Sequence, residues 1–92
     1  MKRDLALVGA GYWGKNLARN FNALKRLHTL CDANEETLQS YGDEYSAVVR
    51  EPCYDKVLAN SAIGKIAIAA PATLHFELAK AALESGKDVY VE

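Results

Sequence analysis

Short, wholly apolar runs alternate along this chain with longer segments whose apolar residues recur every three or four positions. The apolar runs predict strands buried on both faces, and they lie at residues 5–8, 27–31, 47–49, 66–70 and 89–91. The segments between them have the periodicity of amphipathic helices and are long enough to join parallel neighbours. The pattern therefore predicts an α/β fold, a three-layer, Rossmann-like, doubly wound parallel sheet with strand order 3-2-1-4-5.

Local signals place the ends of the predicted helices. Asn34 is predicted to cap the second helix, Pro52 to lie in the first turn of the third, and Thr73 to cap the fourth. Gly86 is predicted to end the fourth helix, at a position that requires a left-handed backbone conformation. The predicted apolar stripes are, in chain order, Gly14, Leu17, Ala18 and Phe21; Leu38, Tyr41 and Tyr45; Tyr54, Val57 and Leu58; and Leu74, Leu78 and Ala81.

A glycine-rich loop with the spacing G-x-G-x-x-G follows the first predicted strand and opens the first helix. Gly9 permits a tight turn, Gly11 lets a diphosphate approach the backbone, and Gly14 lets the helix pack close to the strand. Unpaired N–H groups at the helix start then face the phosphates. Tyr12 and Trp13 contribute backbone N–H groups, and their rings either cover the loop or stack on cofactor or substrate. The loop predicts a dinucleotide-binding site.

Asp32 closes the second predicted strand, 18 residues beyond Gly14. A carboxylate at this position accepts hydrogen bonds from the adenosine ribose hydroxyls and repels a 2′-phosphate. Ala33 and Asn34 follow, so no arginine stands beside it to hold such a phosphate. The sequence therefore predicts NAD as the cofactor, in preference to NADP. A capping role for Asp32 is an alternative that is compatible with ribose binding.

The segment that leaves the fourth predicted strand contains Ala69, Ala70 and Pro71 and leads to His75. It is predicted to line the nicotinamide half of the cleft, because ligands bind outside the carboxyl ends of parallel strands. From the residues alone, His75 is either a structural histidine or a ligand contact. Glu92 ends the fifth strand on the same side of the sheet, and we include it among the candidate cofactor contacts.

Composition limits the remaining classes of function. The net charge is −1, with scattered Lys and Arg, so neither nucleic acid nor an anionic membrane is an expected partner. No apolar run approaches the roughly 18 residues of a membrane span. Cys31 and Cys53 lack metal-ligand spacing, so we interpret them as reduced thiols of a cytoplasmic protein and predict no metal site.

Together these residues resemble the N-terminal half of the Gfo/Idh/MocA oxidoreductases, the family of glucose-fructose oxidoreductase and inositol dehydrogenase. The resemblance covers essentially the whole chain and rests on residues 9–17, Asp32, residues 69–75 and residues 79–92. In that family the fifth strand typically ends in Glu-Lys-Pro, and Glu92 matches the glutamate. The Tyr-Trp pair is most similar to members that oxidise nucleotide-linked sugars, such as UDP-N-acetylglucosaminuronate-type 3-dehydrogenases.

The resemblance implies an NAD-dependent oxidoreductase that acts on a hydroxyl of a sugar or nucleotide sugar. The family's catalytic lysine comes directly after the glutamate matched by Glu92, and its substrate-binding domain, with Asp and His acid/base residues, is a second domain. Neither is present in residues 1–92. We therefore interpret the chain as one NAD-binding domain, truncated or naturally short, that is not catalytically complete alone, and we assign it no catalytic residue.

Two other interpretations stay open at this point. The chain could be a non-enzymatic nucleotide-binding or regulatory module, either an NAD sensor or a coenzyme A binder. Asp32 argues against coenzyme A, because a carboxylate suits a free ribose diol better than a 3′-phosphorylated one. It could also be a folded remnant that mainly self-associates, since the third and fifth strands are predicted sheet edges. Of these two edges, residues 89–91 are the more favourable for pairing, and we expect a homo-oligomer, a dimer or larger, formed around them.

Overall fold

Five parallel strands form one sheet, with the first strand at its centre. The computed structural model describes residues 2–91, apart from the side chains of Tyr12 and Trp13. The strands are β1 (Leu5–Val8), β2 (Leu27–Cys31), β3 (Val49–Glu51), β4 (Lys65–Ile68) and β5 (Asp88–Val91). Their order across the sheet is β3–β2–β1–β4–β5, as the sequence predicts, and the order reverses between β1 and β4.

Helices cover both faces of this sheet, and the sheet separates two hydrophobic cores. They are α1 (Tyr12–Ala23), α2 (Glu35–Gln39), α3 (Tyr54–Ala59) and α4 (Ala72–Glu84), with a 3₁₀ turn at Asp43–Tyr45. Leu7 and Leu30 lie in the core under α1 and α2, whereas Ile66 and Ile68 lie in the core under α3 and α4. All four are almost completely buried, which explains the continuous apolar runs of these strands. Within residues 2–91, no helix is long and apolar enough to cross a bilayer.

Two predicted helix boundaries are confirmed, and two others differ from the prediction. The Asn34 side chain accepts hydrogen bonds from the first turn of α2, and Gly86 has a φ of +84° after α4. Pro52, however, precedes the N-cap of α3, which is the extended residue Cys53. The N-cap of α4 is Pro71, so Thr73 lies inside the first turn and caps nothing. Pro71 has the extended backbone that a helix entry needs, with ψ of 147°.

The second predicted helix is shorter than its apolar stripe suggests. Leu38, Tyr41 and Tyr45 are all buried as predicted, but α2 ends at Gln39 and the stripe continues through a turn. The guanidinium group of Arg50 donates hydrogen bonds to the Leu38 carbonyl (3.0 Å) and the Tyr41 carbonyl (2.9 Å). These bonds satisfy carbonyl groups that a continuing helix would have paired.

Strand bounds also shift from those that the apolar runs predict. β3 begins at Val49 rather than at Ala47, because the Val48 N–H donates back to the Tyr45 carbonyl (2.9 Å) and belongs to the preceding turn. β4 ends at Ile68, which places residues 69 and 70 in the loop that follows it. β5 begins one residue early, at Asp88.

Candidate functional site

A cleft of about 640 Å³ opens at the carboxyl ends of β1, β2 and β4. This is the side of an open α/β sheet, beside the reversal of strand order, where ligands bind. Its lining comes from four loops and from the starts of α3 and α4. The lining residues are Val8, Gly9, Gly11, Cys31, Asp32, Ala33, Pro52, Tyr54, Ala69, Ala70, Pro71, Leu74 and Leu78.

Gly9 allows the loop after β1 to pass close to the segment after β4. Its φ is +94°, and its N–H donates to the Cys31 carbonyl (2.8 Å). A Cβ atom on Gly9 would lie 2.8 Å from the Ala70 nitrogen and 2.9 Å from the Ala69 carbonyl carbon. Only glycine combines this backbone conformation with this close approach.

Gly11 has the opposite environment, because a Cβ atom there would meet nothing within 4 Å. It is also the N-cap of α1, and no side chain bonds to the helix start at this cap. The first N–H groups of a helix have no partners within the helix and carry the positive end of its dipole. The cleft thus has an open backbone approach at a helix start, which suits a phosphate group.

The Asp32 carboxylate connects the end of β2 to the glycine loop. Oδ2 accepts a hydrogen bond from the Ala10 N–H (3.0 Å), and Oδ1 accepts one from the Asn34 N–H (2.9 Å). Each carboxylate oxygen can accept a further bond, and the side chain is half-buried in the cleft wall. Asn34, and not Asp32, caps α2. The free acceptor capacity of Asp32 therefore remains available to hydroxyl groups of a ligand.

The segment after β4 forms the opposite side of the cleft. The Ala69 N–H donates to the Val8 carbonyl (2.8 Å), which continues the sheet for one bond beyond the two strands. His75 Nε2 donates to the Ala70 carbonyl (2.6 Å), since a carbonyl oxygen can only accept. His75 is absent from the cleft lining. Its bond supports the structural interpretation of this histidine.

The structure brings most of the predicted site residues to one cleft. Those that line it are Gly9, Gly11, Asp32, Ala69, Ala70 and Pro71. Gly14 is buried beneath the loop, and the backbone of Tyr12 and Trp13 forms the first turn of α1. The predicted ring contacts of Tyr12 and Trp13, and the predicted role of Glu92, lie outside the described parts of the structure.

Sequence reasoning missed the apolar wall of the cleft, which includes Pro52, Tyr54, Leu74 and Leu78. Leu74 was expected in the buried stripe of α4, yet it is 46% exposed, while Ala82 is fully buried. α4 starts at the cleft edge, and Leu74 in its first turn lines the opening. Helical periodicity shows which residues share a face but does not show where the sheet ends.

This wall is uncharged at neutral pH. The Tyr54 hydroxyl donates to the Leu78 carbonyl (2.7 Å) and thereby joins α3 to α4. Burial raises the pKa of Tyr54 to about 12. Burial, reinforced by the carboxylates of Glu51 and Asp32, raises the pKa of the Cys31 thiol to about 12. The thiol is therefore protonated and is a poor nucleophile at this site.

Cys31 and Cys53 are both free thiols. Across the part of the chain that the structure describes, His, Cys, Asp and Glu side chains form no group of three that could hold a metal ion. The site is therefore built from a helix start, one carboxylate and an apolar wall.

A glycine loop at a helix start, a carboxylate at the end of the second strand and the 3-2-1-4-5 sheet define the class of dinucleotide-binding Rossmann domains. The family model described as the oxidoreductase family with an NAD-binding Rossmann fold, Gfo/Idh/MocA, matches residues 3–92. The chain therefore belongs to the Gfo/Idh/MocA oxidoreductase family, as its NAD-binding domain.

Several solved structures are similar to this chain. GenD2 from gentamicin A biosynthesis, in complex with NAD, is 25% identical with a TM-score of 0.85, over 99% of this chain and 27% of GenD2. Scyllo-inositol dehydrogenase from Lactobacillus casei, with NAD(H) and scyllo-inositol, is 21% identical with a TM-score of 0.83, over 99% and 28%.

A third solved structure is UDP-N-acetylglucosamine 3-dehydrogenase GnnA from Acidithiobacillus ferrooxidans. It is 22% identical with a TM-score of 0.83, over 99% of this chain and 29% of GnnA. The chain thus spans less than a third of the length of each of these three proteins. The search of curated proteins found no match.

Proposed function

We propose that this chain holds NAD(H) as the cofactor half of an oxidoreductase that oxidises a hydroxyl of a sugar or nucleotide sugar. Membership of the NAD-binding family supports the cofactor. The substrate class is suggested by the similar structures, among them a UDP-N-acetylglucosamine 3-dehydrogenase and a scyllo-inositol dehydrogenase. In such a reaction the bound cofactor accepts the hydride.

The observation that carries the proposal is the open space at Gly11 between Asp32 and the segment after β4. In the proposed arrangement the diphosphate lies over Gly11 and the start of α1, and the adenosine ribose bonds to Asp32. The uncharged wall near Tyr54 suits the adenine ring, and residues 69–71 line the nicotinamide half.

The charge of Asp32 favours NAD over NADP. A 2′-phosphate on the adenosine ribose would come close to this carboxylate and would be repelled by it. Lys or Arg is absent from the residues that line the described cleft, so no cation there would offset this repulsion. This preference is measured as the ratio of the affinities for NAD(H) and NADP(H).

We also propose that residues 1–92 form one domain whose substrate contacts come from additional polypeptide. Hydride transfer needs the sugar carbon held against the nicotinamide while a base takes the hydroxyl proton. The similar structures are more than three times as long as this chain, since it spans 27% to 29% of them. On this proposal the chain alone binds cofactor with negligible turnover.

A titration of the purified chain with NADH, followed by nicotinamide fluorescence, tests the proposal. We expect saturable binding, and no turnover of NAD when sugars or nucleotide sugars are added. Absence of binding at millimolar NADH contradicts the proposal. Competition with coenzyme A tests the coenzyme A alternative, because a coenzyme A binder would release NADH at lower concentrations of coenzyme A than of NAD.

We propose in addition that the chain forms a homo-oligomer through β5. β5 pairs with β4 and is the last strand of the sheet, and its residues Tyr90 and Val91 are 53% and 42% exposed. Terminal strands with exposed apolar side chains favour pairing with another chain.

We also propose a cytoplasmic location, since two free thiols suit a reducing compartment.

A further inference from the structure

Two side chains from distant parts of the chain hold the Ala10 peptide groups in the glycine loop. Asp32 accepts the hydrogen bond of the Ala10 N–H, and the Tyr41 hydroxyl donates to the Ala10 carbonyl (2.7 Å). Ala10 is fully buried, so water does not replace a bond that is lost there. The loop conformation therefore depends on both partners.

Tyr41 is itself held in position from two directions. Arg50 in β3 donates a hydrogen bond to the Tyr41 carbonyl (2.9 Å) and another to the Leu38 carbonyl (3.0 Å). The Tyr45 ring meets the Tyr41 ring edge-on, with 4.9 Å between the ring centroids. The turn after α2 thus presents the Tyr41 hydroxyl to the loop with a defined geometry.

The bond to Ala10 has a direct consequence for Gly11. The Ala10 carbonyl and the Gly11 N–H belong to one planar trans peptide group, so the direction of one sets the direction of the other. The Gly11 N–H points away from Tyr41 when the Ala10 carbonyl points toward it. Gly11 is the residue with the open approach from the cleft.

We propose that Tyr41 is a positioning residue for cofactor binding: its hydroxyl fixes the Ala10–Gly11 peptide and so aims the Gly11 N–H at the diphosphate. Arg50 supports this role from β3 by holding the turn that carries Tyr41. The inference rests on the proposed place of the diphosphate over Gly11, but it does not depend on the sugar substrate proposed above.

Tyr41→Phe tests the proposal, because it keeps the ring and its contact with Tyr45 while it removes the hydroxyl. We expect ADP and NADH to bind about three- to tenfold more weakly, from the loss of one buried hydrogen bond. Adenosine, which has no diphosphate, should bind with unchanged affinity in an NMR titration. Tyr45→Phe is the matched control, since it removes a hydroxyl from the same ring pair without touching the loop, and it should change neither affinity.

Amide hydrogen exchange of residues 9–14 without nucleotide gives a second measurement. Exchange in this segment should be about tenfold faster in Tyr41→Phe than in the wild type or in Tyr45→Phe. The proposal is overturned if loop exchange stays unchanged, or if ADP and adenosine lose affinity in parallel. A wild-type chain that binds no nucleotide contradicts the cofactor assignment, whereas the exchange result still decides the role of Tyr41.

Discussion

Gly14 packs against Gly9 so closely that a Cβ atom on Gly14 would fall on the Gly9 carbonyl oxygen. This contact holds the first turn of α1 against the loop that leaves β1. Gly11 lies between the two glycines in sequence and has open space where its Cβ would be. The glycines of this loop therefore have different physical roles. Gly14 is needed for packing in the folded chain, whereas Gly11 leaves space for the ligand.

Alanine substitutions should separate these roles. Gly14→Ala should lower the free energy of unfolding by about 1–3 kcal/mol or more, because its methyl group overlaps backbone. Gly11→Ala should cost about 0.5–1 kcal/mol, the lower part of the range for changes at an N-cap. It should nevertheless weaken NADH binding at least about tenfold, since one methyl group blocks the diphosphate.

Urea unfolding and NADH titration of both variants provide the measurements for this pair. Gly64→Ala is the control, since a Cβ there meets only the Asp4 Oδ2 atom at 3.9 Å and Gly64 lies outside the cleft lining. Equal loss of affinity in Gly11→Ala and Gly64→Ala would exclude the proposed place of the diphosphate.

Asp32→Ala should reduce NADH affinity by about tenfold or more, as expected for hydrogen bonds to a charged group. The affinity for NADPH should fall less, because the repulsion of the 2′-phosphate disappears together with the carboxylate. Paired titrations with NADH and NADPH give the ratio.

Glu77→Ala, which removes one negative charge from the exposed face of α4, should leave the ratio of the two affinities unchanged. A ratio that stays at the wild-type value in Asp32→Ala would show that another group selects the cofactor.

Stability should fall as the pH rises from about 9 to about 12. Burial raises the folded pKa of Tyr41 and of Tyr54 from 10.0 to about 12, and that of Cys31 from 9.0 to about 12. Between these values the unfolded chain loses protons that the folded chain keeps, so the free energy of unfolding decreases.

Urea unfolding at pH 8 to 11 measures this decline. Tyr41→Phe should show a shallower slope than the wild type, because one of the three groups no longer titrates. A slope unaffected by the substitution would mean that the Tyr41 hydroxyl ionises alike in the folded and unfolded chain.

Val91→Lys should shift the chain toward a single-chain mass in light scattering. A charged side chain on a terminal strand opposes pairing with another strand, and Val91 is 42% exposed on β5. Val49→Lys tests the opposite edge, where Val49 is 50% exposed on β3, and should leave the mass unchanged. A wild-type chain that has the mass of one chain at high concentration would refute self-association through β5.

The local pattern of the sequence was sufficient for the strand order, for the loop at residues 9–14, for Asp32 at the end of β2 and for Asn34 as a cap. These features depend on neighbours within a few residues and on the handedness of parallel crossovers. A strand followed by G-x-G-x-x-G and a helix leaves little freedom in how the chain turns.

Three other features depend on tertiary contacts, and the periodicity of apolar residues does not predict them. Leu74 is exposed because the first turn of α4 borders the cleft, and β3 is displaced because Val48 bonds back to the turn. Tyr41 was predicted only as a buried residue, but its hydroxyl reaches a carbonyl 31 positions away. Such contacts depend on how separate elements pack in space, and the spacing of apolar residues along one element carries no information about them.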